Sequence, residues 1–141
     1  MTENIRAKIL AEALREINRH GSDFHMDDLA RNLRISKRTL YENFSSKQEI
    51  IEQAITDFTD KIYAYHQRIV SNPAMTCEAK LIAYFDVPSD NWQVLSMRKT
   101  SDLLAKMPGT CERLQSRYKK DWLLLERLLD EAQENRRIQA L

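Results

Sequence analysis

The sequence predicts an all-α protein, and three observations carry that expectation. Apolar residues recur at steps of three and four almost from end to end. No segment alternates apolar and polar residues in the manner of a strand. The 141 residues hold only two glycines and three prolines, and these sit where helices would have to stop.

Ile5, Ile9, Leu10, Ala13, Leu14 and Ile17 form one stripe, so 3–19 is expected to be an amphipathic helix ended by Gly21. A short helix follows at about 26–34, with Leu29, Ala30 and Leu33 inward. Asp27 and Asp28 lie in its first turn, where the macrodipole favours acid. A second short helix covers about 37–44, capped by Ser36, with Leu40 and Phe44 inward. Ser46 and Glu49 have capping-box spacing and open a long helix at about 47–71. Its stripe is Ile50, Ile51, Ala54, Ile55, Phe58, Ile62, Tyr65 and Ile69, and Asn72-Pro73 stops it. Residues 76–85 read as a helix on Leu81, Ile82 and Phe85, residues 87–90 as a turn, and 91–106 as a helix carrying Trp92, Leu95, Leu103 and Leu104. Pro108-Gly109 breaks the chain, and Thr110 is placed as the cap of a last helix running to about 136. Leu114, Tyr118, Trp122, Leu125, Leu129 and Ala132 are its expected inner face.

Composition excludes several classes. A hydrophobic share of 43%, a charged share of 30% and a mean hydropathy of −0.58 describe a folded chain rather than a disordered one. The apolar run Trp122–Leu125 is far too short to span a bilayer, and the acidic N-terminus lacks a signal's apolar region, so a cytoplasmic protein is expected. Two glycines as far apart as Gly21 and Gly109 cannot write a dinucleotide fingerprint, a phosphate loop or a nucleophile elbow. Cys77 and Cys111 make no zinc spacing with His20, His25 or His66. Free thiols are expected, with a redox link between them as the alternative. No catalytic activity and no cofactor are expected.

Charge is unevenly placed. Residues 1–47 hold nine basic and seven acidic side chains, but within 31–47 five basic residues face a single acid. Such local concentration is the electrostatic footprint of phosphate binding. The same stretch has a distinctive geometry: two short helices joined tightly at Arg34-Ile35-Ser36, the second polar and basic. They need the first helix to complete a core, which leaves the third helix exposed and able to enter a major groove. At 100° per residue Leu40 and Phe44 share the inner side, while Arg38 and Glu42 point outward. Arg38 suits guanine and Glu42 a cytosine amine, whereas Lys37, Thr39 and Tyr41 suit phosphate oxygens. Lys47 opposes the macrodipole at the start of the long helix, and a docked phosphate would offset that penalty.

Leu29-Ala30 followed by Ile35-Ser36-Lys37-Arg38-Thr39-Leu40-Tyr41-Glu42-Asn43-Phe44-Ser45-Ser46-Lys47-Gln48-Glu49-Ile50 resembles the helix-turn-helix of the tetracycline-repressor (TetR) family of bacterial transcription regulators. The close resemblance covers about residues 5–55. It implies a DNA-binding domain over 1–46 and a helical regulatory, ligand-binding domain over 47–141. The DNA-facing set is then Ser36, Lys37, Arg38, Thr39, Tyr41, Glu42 and Lys47, with Arg34 and His25 at its margins. Two positions depart from the family pattern. Arg34 stands where a glycine is usual, at a cost of about 1 kcal/mol if the backbone there is left-handed. His25 stands where Ser or Thr caps the second helix, and histidine caps less well.

The resemblance further implies a homodimer on a palindromic operator and a small-molecule effector that moves the two DNA-binding heads. Candidate lining is Phe58, Ile62, Tyr65, His66, Phe85, Trp92, Met97, Leu103, Met107, Tyr118 and Trp122, with Tyr65, His66 and Trp92 as polar contacts. At helical spacing the same residues also suit an ordinary core. Family members usually continue into two further dimer-forming helices, whereas this sequence stops at Leu141, so a shortened regulatory domain is expected. The expected function is that of a sequence-specific repressor. The alternative is a helical interaction protein that keeps the motif without reading DNA.

Overall fold

The computed structural model describes residues 4–86 and 97–139, and among these there is no strand. The helices are α1 (Ile5–His20), α2 (Met26–Leu33), α3 (Lys37–Asn43), α4 (Lys47–Val70), α5 (Cys77–Phe85), α6 (Met97–Ala105) and α7 (Pro108–Gln139). A 3-10 turn, Gly21–Asp23, follows α1. The expected turn at 87–90, together with Trp92 and Leu95, lies outside the described residues.

Two compact units emerge, and they cut the chain differently from the expected division into 1–46 and 47–141. The first holds the described residues up to Phe58 and those from 97 to Glu112; the second holds 59–86 and 113–139. Both α4 and α7 therefore contribute to each unit.

In the first unit α1 packs against α2, α6 and the 3-10 turn, and α2 packs against α3. Ile9, Ala13 and Ile17 of α1, Leu29 of α2, Leu40 of α3, Phe44, and Ile50, Ala54 and Ile55 of α4 are buried together with Phe24 and Leu103. The apolar period read from the sequence is thus the period of this core. Polar groups reinforce it. Glu12 and Glu16 of α1 are buried, and each accepts a 3.1 Å hydrogen bond from the Asn32 amide of α2. Arg15 completes the Glu12 shell at 2.8 Å. Burying two carboxylates is tolerable only with this pairing.

Both glycine-like backbone positions are informative. Gly21 ends α1 at φ 61 and ψ −129, a conformation that other residues rarely adopt, while its N–H still reaches Ile17 O. Arg34 ends α2 at φ 57 and ψ 42, in the left-handed region. The Arg34 N–H bonds Arg31 O at 3.1 Å and the Ile35 N–H bonds Ala30 O at 3.0 Å, which closes a Schellman motif. The motif demands the left-handed residue, and here an arginine bears the strain.

The second unit departs from the sequence expectation. Its core holds Tyr84 of α5 and Leu124, Leu125 and Leu128 of α7, with Tyr63, Val70 and Leu81 packed beside them. Ile82 and Phe85, expected inward, are 72% and 71% exposed, and Tyr118, Trp122 and Leu129 also face solvent. The α7 stripe is rotated relative to expectation because Asp121, a polar residue, occupies the inner face. Lys80 is buried and donates at 2.9 Å to Val70 O, closing the C-terminus of α4. A second correction concerns Thr110. Helix α7 begins three residues earlier than a Thr110 cap would have it, with Pro108 at its first position, where the missing N–H costs nothing. Thr110 is instead buried and bonded to Glu52 at 3.2 Å.

The strain at Arg34 gives a measurable expectation. Arg34→Gly should raise the free energy of unfolding by about 1 kcal/mol, relief of the left-handed penalty outweighing the glycine's added chain entropy. Urea denaturation checks it, and an unchanged or lowered midpoint would contradict the strain.

Candidate nucleic-acid interface

Helix α3 is built to face outward. The Ser36 hydroxyl accepts from Thr39 N at 3.0 Å, as an N-cap should, and lies 2.9 Å from the Thr39 hydroxyl. Leu40 is fully buried, as is Phe44 just beyond the helix. These two anchors fix the roll of the helix, so Lys37, Arg38, Tyr41 and Glu42 are exposed. Tyr41 is 47% exposed, a large aromatic with no core role. The C-terminal end of α3 is clamped by Arg6 of α1. Its guanidinium donates to Asn43 O and lies 4.3 Å from the centroid of the Phe44 ring.

Several exposed charges are paired with one another. Arg38 Nε donates to Glu42 at 3.1 Å, so the two groups expected at base edges hold each other across one helical turn. Lys37 lies 2.8 Å from Asp27 in the first turn of α2. The lysine holds the Asp27 carboxyl below the usual aspartate range, and the carboxylate lifts the lysine in turn. Arg31 pairs with Asp28. Arg34 is exposed beside them. His25 occupies the N-cap position of α2 and makes no side-chain capping bond.

Lys47 differs most from expectation. Its ammonium donates to Ser22 O in the 3-10 turn and sits 4.5 Å from the Phe24 ring centroid. Burial pushes its pKa down, with Asp23 opposing. The lysine expected to hold only phosphate is a strut between α4 and the turn after α1. The Ser46 cap forms as expected, its hydroxyl accepting from Glu49 N at 3.1 Å, and only the return bond is displaced by one residue, the Glu49 carboxylate taking the N–H of Ser45 at 2.8 Å. Bonds from Ser45 pull the Glu49 carboxyl below its normal range.

The expected ligand-lining residues scatter. Phe58 and Met107 are half-buried in the first unit. Leu103 is buried core. Trp92 lies outside the described residues, as does the side chain of Met97. Trp122 is 56% exposed, and its indole N–H donates to Glu126 at 2.7 Å on the surface of α7. Tyr65 and His66 do sit together in the second unit, but their polar atoms serve the fold. Tyr65 donates to Asp86 O at 3.1 Å. The His66 Nδ1 lies 2.6 Å from Asp121 Oδ1 and its Nε2 lies 2.9 Å from Tyr84 O. The imidazole also stacks on the Tyr84 ring, centroids 3.7 Å apart, and the Tyr84 hydroxyl donates to the same Asp121 oxygen at 2.6 Å. Burial and this bond push the Tyr84 hydroxyl well above its usual range. Sequence reading missed Asp121, Tyr84, Arg6, Asp27 and Asn32. The aspartate at an otherwise apolar helix position was the one visible sign of a buried network.

Two stability measurements separate these roles. Lys47→Ala should lower the unfolding free energy of the DNA-free protein by about 1 kcal/mol through loss of the Ser22 bond and the Phe24 contact. A lysine that served only phosphate would leave urea denaturation unchanged. His66→Ala should cost about 3 kcal/mol, since it opens a cavity against Tyr84 and takes one of the two partners from Asp121. Trp122→Ala should stay within ~0.5 kcal/mol. Equal losses in thermal or urea unfolding would refute the contrast.

Among the described residues no helix is long and apolar enough to cross a membrane. Comparison with known proteins agrees with the geometry of the first unit. Residues 9–54 match the family model of bacterial regulatory proteins of the tetR family. The chain is 29% identical over 131 residues to a protein of Bacillus subtilis (strain 168) named as an uncharacterized HTH-type transcriptional regulator, YvaF, covering 93% of this chain and 69% of that protein. No solved structure matches. An exposed polar helix on a three-helix core and the match over those same helices lead to one assignment: residues 9–54 are a helix-turn-helix domain of the tetR type found in bacterial regulatory proteins, and the chain is similar to a transcriptional regulator that carries it.

Proposed function

We propose that the protein is a sequence-specific repressor that binds a palindromic operator as a homodimer and is released by a small-molecule effector. The observation that carries the reading is the fixed roll of α3, with Leu40 and Phe44 buried and Arg38, Tyr41 and Glu42 presented outward. In this reading Arg38 and Glu42 read base edges, while Lys37, Thr39, Tyr41, Ser36, Arg34 and His25 position the helix on phosphates. The outward ammonium hydrogens of Lys47 add a contact to the same backbone.

The dimer follows from arithmetic. A seven-residue helix contacts a few base pairs, and each discriminated pair contributes roughly 1–3 kcal/mol. One head is therefore a weak reader, whereas two heads multiply the discrimination and demand two-fold symmetric half-sites. Occupancy of promoter DNA blocks transcription without any further surface, which favours repression over activation. The effector must bind the DNA-incompetent arrangement better than the competent one, because equal affinity shifts nothing.

Selection from random duplex DNA tests the reading. Enriched sites should be partial palindromes with half-sites about one helical turn apart or a multiple of it. Arg38→Ala should cost about 1–3 kcal/mol on the selected site and relax base preference there. Uniform affinity across random duplexes, or binding curves for the variant that overlay the wild type, would refute sequence reading.

A further inference from the structure

The first unit contains a cleft that shares only Lys47 with the proposed DNA contacts. It has a volume of about 450 Å³ and opens between the start of α4 and the joint of α6 with α7. Ser22, Lys47, Gln48, Ile51, Lys106 and Met107 supply its walls, with Pro108 and Gly109 at the rim. Two ammonium groups converge there on one serine. Lys47 donates to Ser22 O, and Lys106 Nζ lies 3.4 Å from Ser22 Oγ. Among the described residues neither lysine has a carboxylate within salt-bridge distance; Asp23 acts on Lys47 only from farther away. Two cations facing one neutral residue repel each other, and an anion between them would relieve that repulsion. Apart from Gln48, the rest of the wall is apolar. Ile51 is buried and Met107 half-buried, and a methionine adapts to the shape of what it covers. Cationic groups over an apolar floor, in a volume typical of small-molecule sites, select for one ligand chemistry.

We propose that this cleft binds a small amphiphilic anion, a single carboxylate or phosphate on a short apolar body, and that this is the effector class of the repressor. The proposal rests on the effector reading above and names its site and chemistry. The coupling route is short. Lys47 opens α4 three residues after Phe44, and its ammonium ties α4 to the turn after α1. An anion held between Lys47 and Lys106 competes with Ser22 for that ammonium. Binding thereby trades a strut of the DNA-binding head for a ligand contact, which is the differential interaction an effector needs.

The test uses the whole chain with methyl-labelled methionine, its Met107 signal assigned through Met107→Leu. Hexanoate and hexyl phosphate are the probes and hexan-1-ol is the neutral control. Either anion should move the Met107 methyl resonance saturably in the millimolar range or below, and hexan-1-ol should not. Lys106→Gln should weaken anion binding roughly five- to tenfold, and Lys106→Arg should restore it. The same anion should lower affinity for the selected operator. No saturable shift, equal binding of the alcohol, or an unchanged Lys106→Gln would overturn the site. Saturable binding with unaltered operator affinity would overturn its role as the effector cleft. Failure of sequence selection itself would instead strike the repressor reading, and is seen without any probe.

Discussion

Burial of Leu40 and Phe44 is the constraint on which the interface depends. A seven-residue helix has too little surface to hold its own orientation, and isolated helices of that length are not stable. Two fully buried side chains four residues apart supply the missing torque, and together they contribute several kcal/mol of transfer free energy. Everything outward on α3 follows from where those two point inward. The Arg6 guanidinium, lying over Phe44 and bonded to Asn43 O, closes the far end of the same anchor. Ser36 closes the near end. A rigid reading helix therefore costs the sequence two apolar residues, one cap and one arginine borrowed from α1.

That economy explains why the first unit was legible in the sequence and the second was not. In the first unit the inner faces are apolar apart from polar groups such as Glu12, Glu16 and Thr110, so the stripe of three and four spacing marks the core directly, and Leu29, Leu40, Phe44 and Ile50 lie where the spacing puts them. In α5 and α7 the inner faces carry Lys80, Tyr84 and Asp121, and the bulky residues Phe85, Ile82 and Trp122 lie outside. A rule that sends large apolar groups inward then misplaces these bulky residues, although Leu114 and Leu125 are buried as the spacing expects. The polar residues are buried because each completes another: Lys80 closes the Val70 carbonyl, and Asp121 joins His66 to Tyr84. Such pairing is a property of three helices at once, and one stretch of sequence does not display it. Tyr65 and His66 were picked out for their chemistry, and their chemistry is spent on the fold.

Two residues that look costly in isolation mark the joints of the head. Arg34 adopts a left-handed backbone that glycine would adopt freely, and Lys47 places a cation where the α4 dipole disfavours it. In both places the local penalty sits on a connection rather than within a helix. Arg34 sets the angle between α2 and α3, and Lys47 ties α4 to the turn that follows α1. The sequence exposed both as anomalies. Its explanation for Lys47, phosphate alone, was incomplete, because Ser22 and Phe24 are far from it in the chain and near it only after folding.

Charge counting misleads for the same reason. The acids of residues 1–47 do not dilute the positive field uniformly. Glu12 and Glu16 are buried under Asn32, and the Asp27, Asp28 and Glu42 carboxylates each sit on a cation of the reading surface. Exposed pairs of this kind are worth little in water, so the cations are held in place without being consumed. In the proposed reading, Lys37 would exchange Asp27 for an arriving phosphate, and Arg38 would exchange Glu42 for a base edge. Part of the electrostatic gain is then offset by freeing Asp27 and Glu42, which lowers affinity for any duplex. What remains would favour sites where Glu42 finds a base donor in return. In the proposed reading, intramolecular pairing on this surface would trade general attraction to DNA for discrimination between sequences, the balance that a reader of specific sites requires.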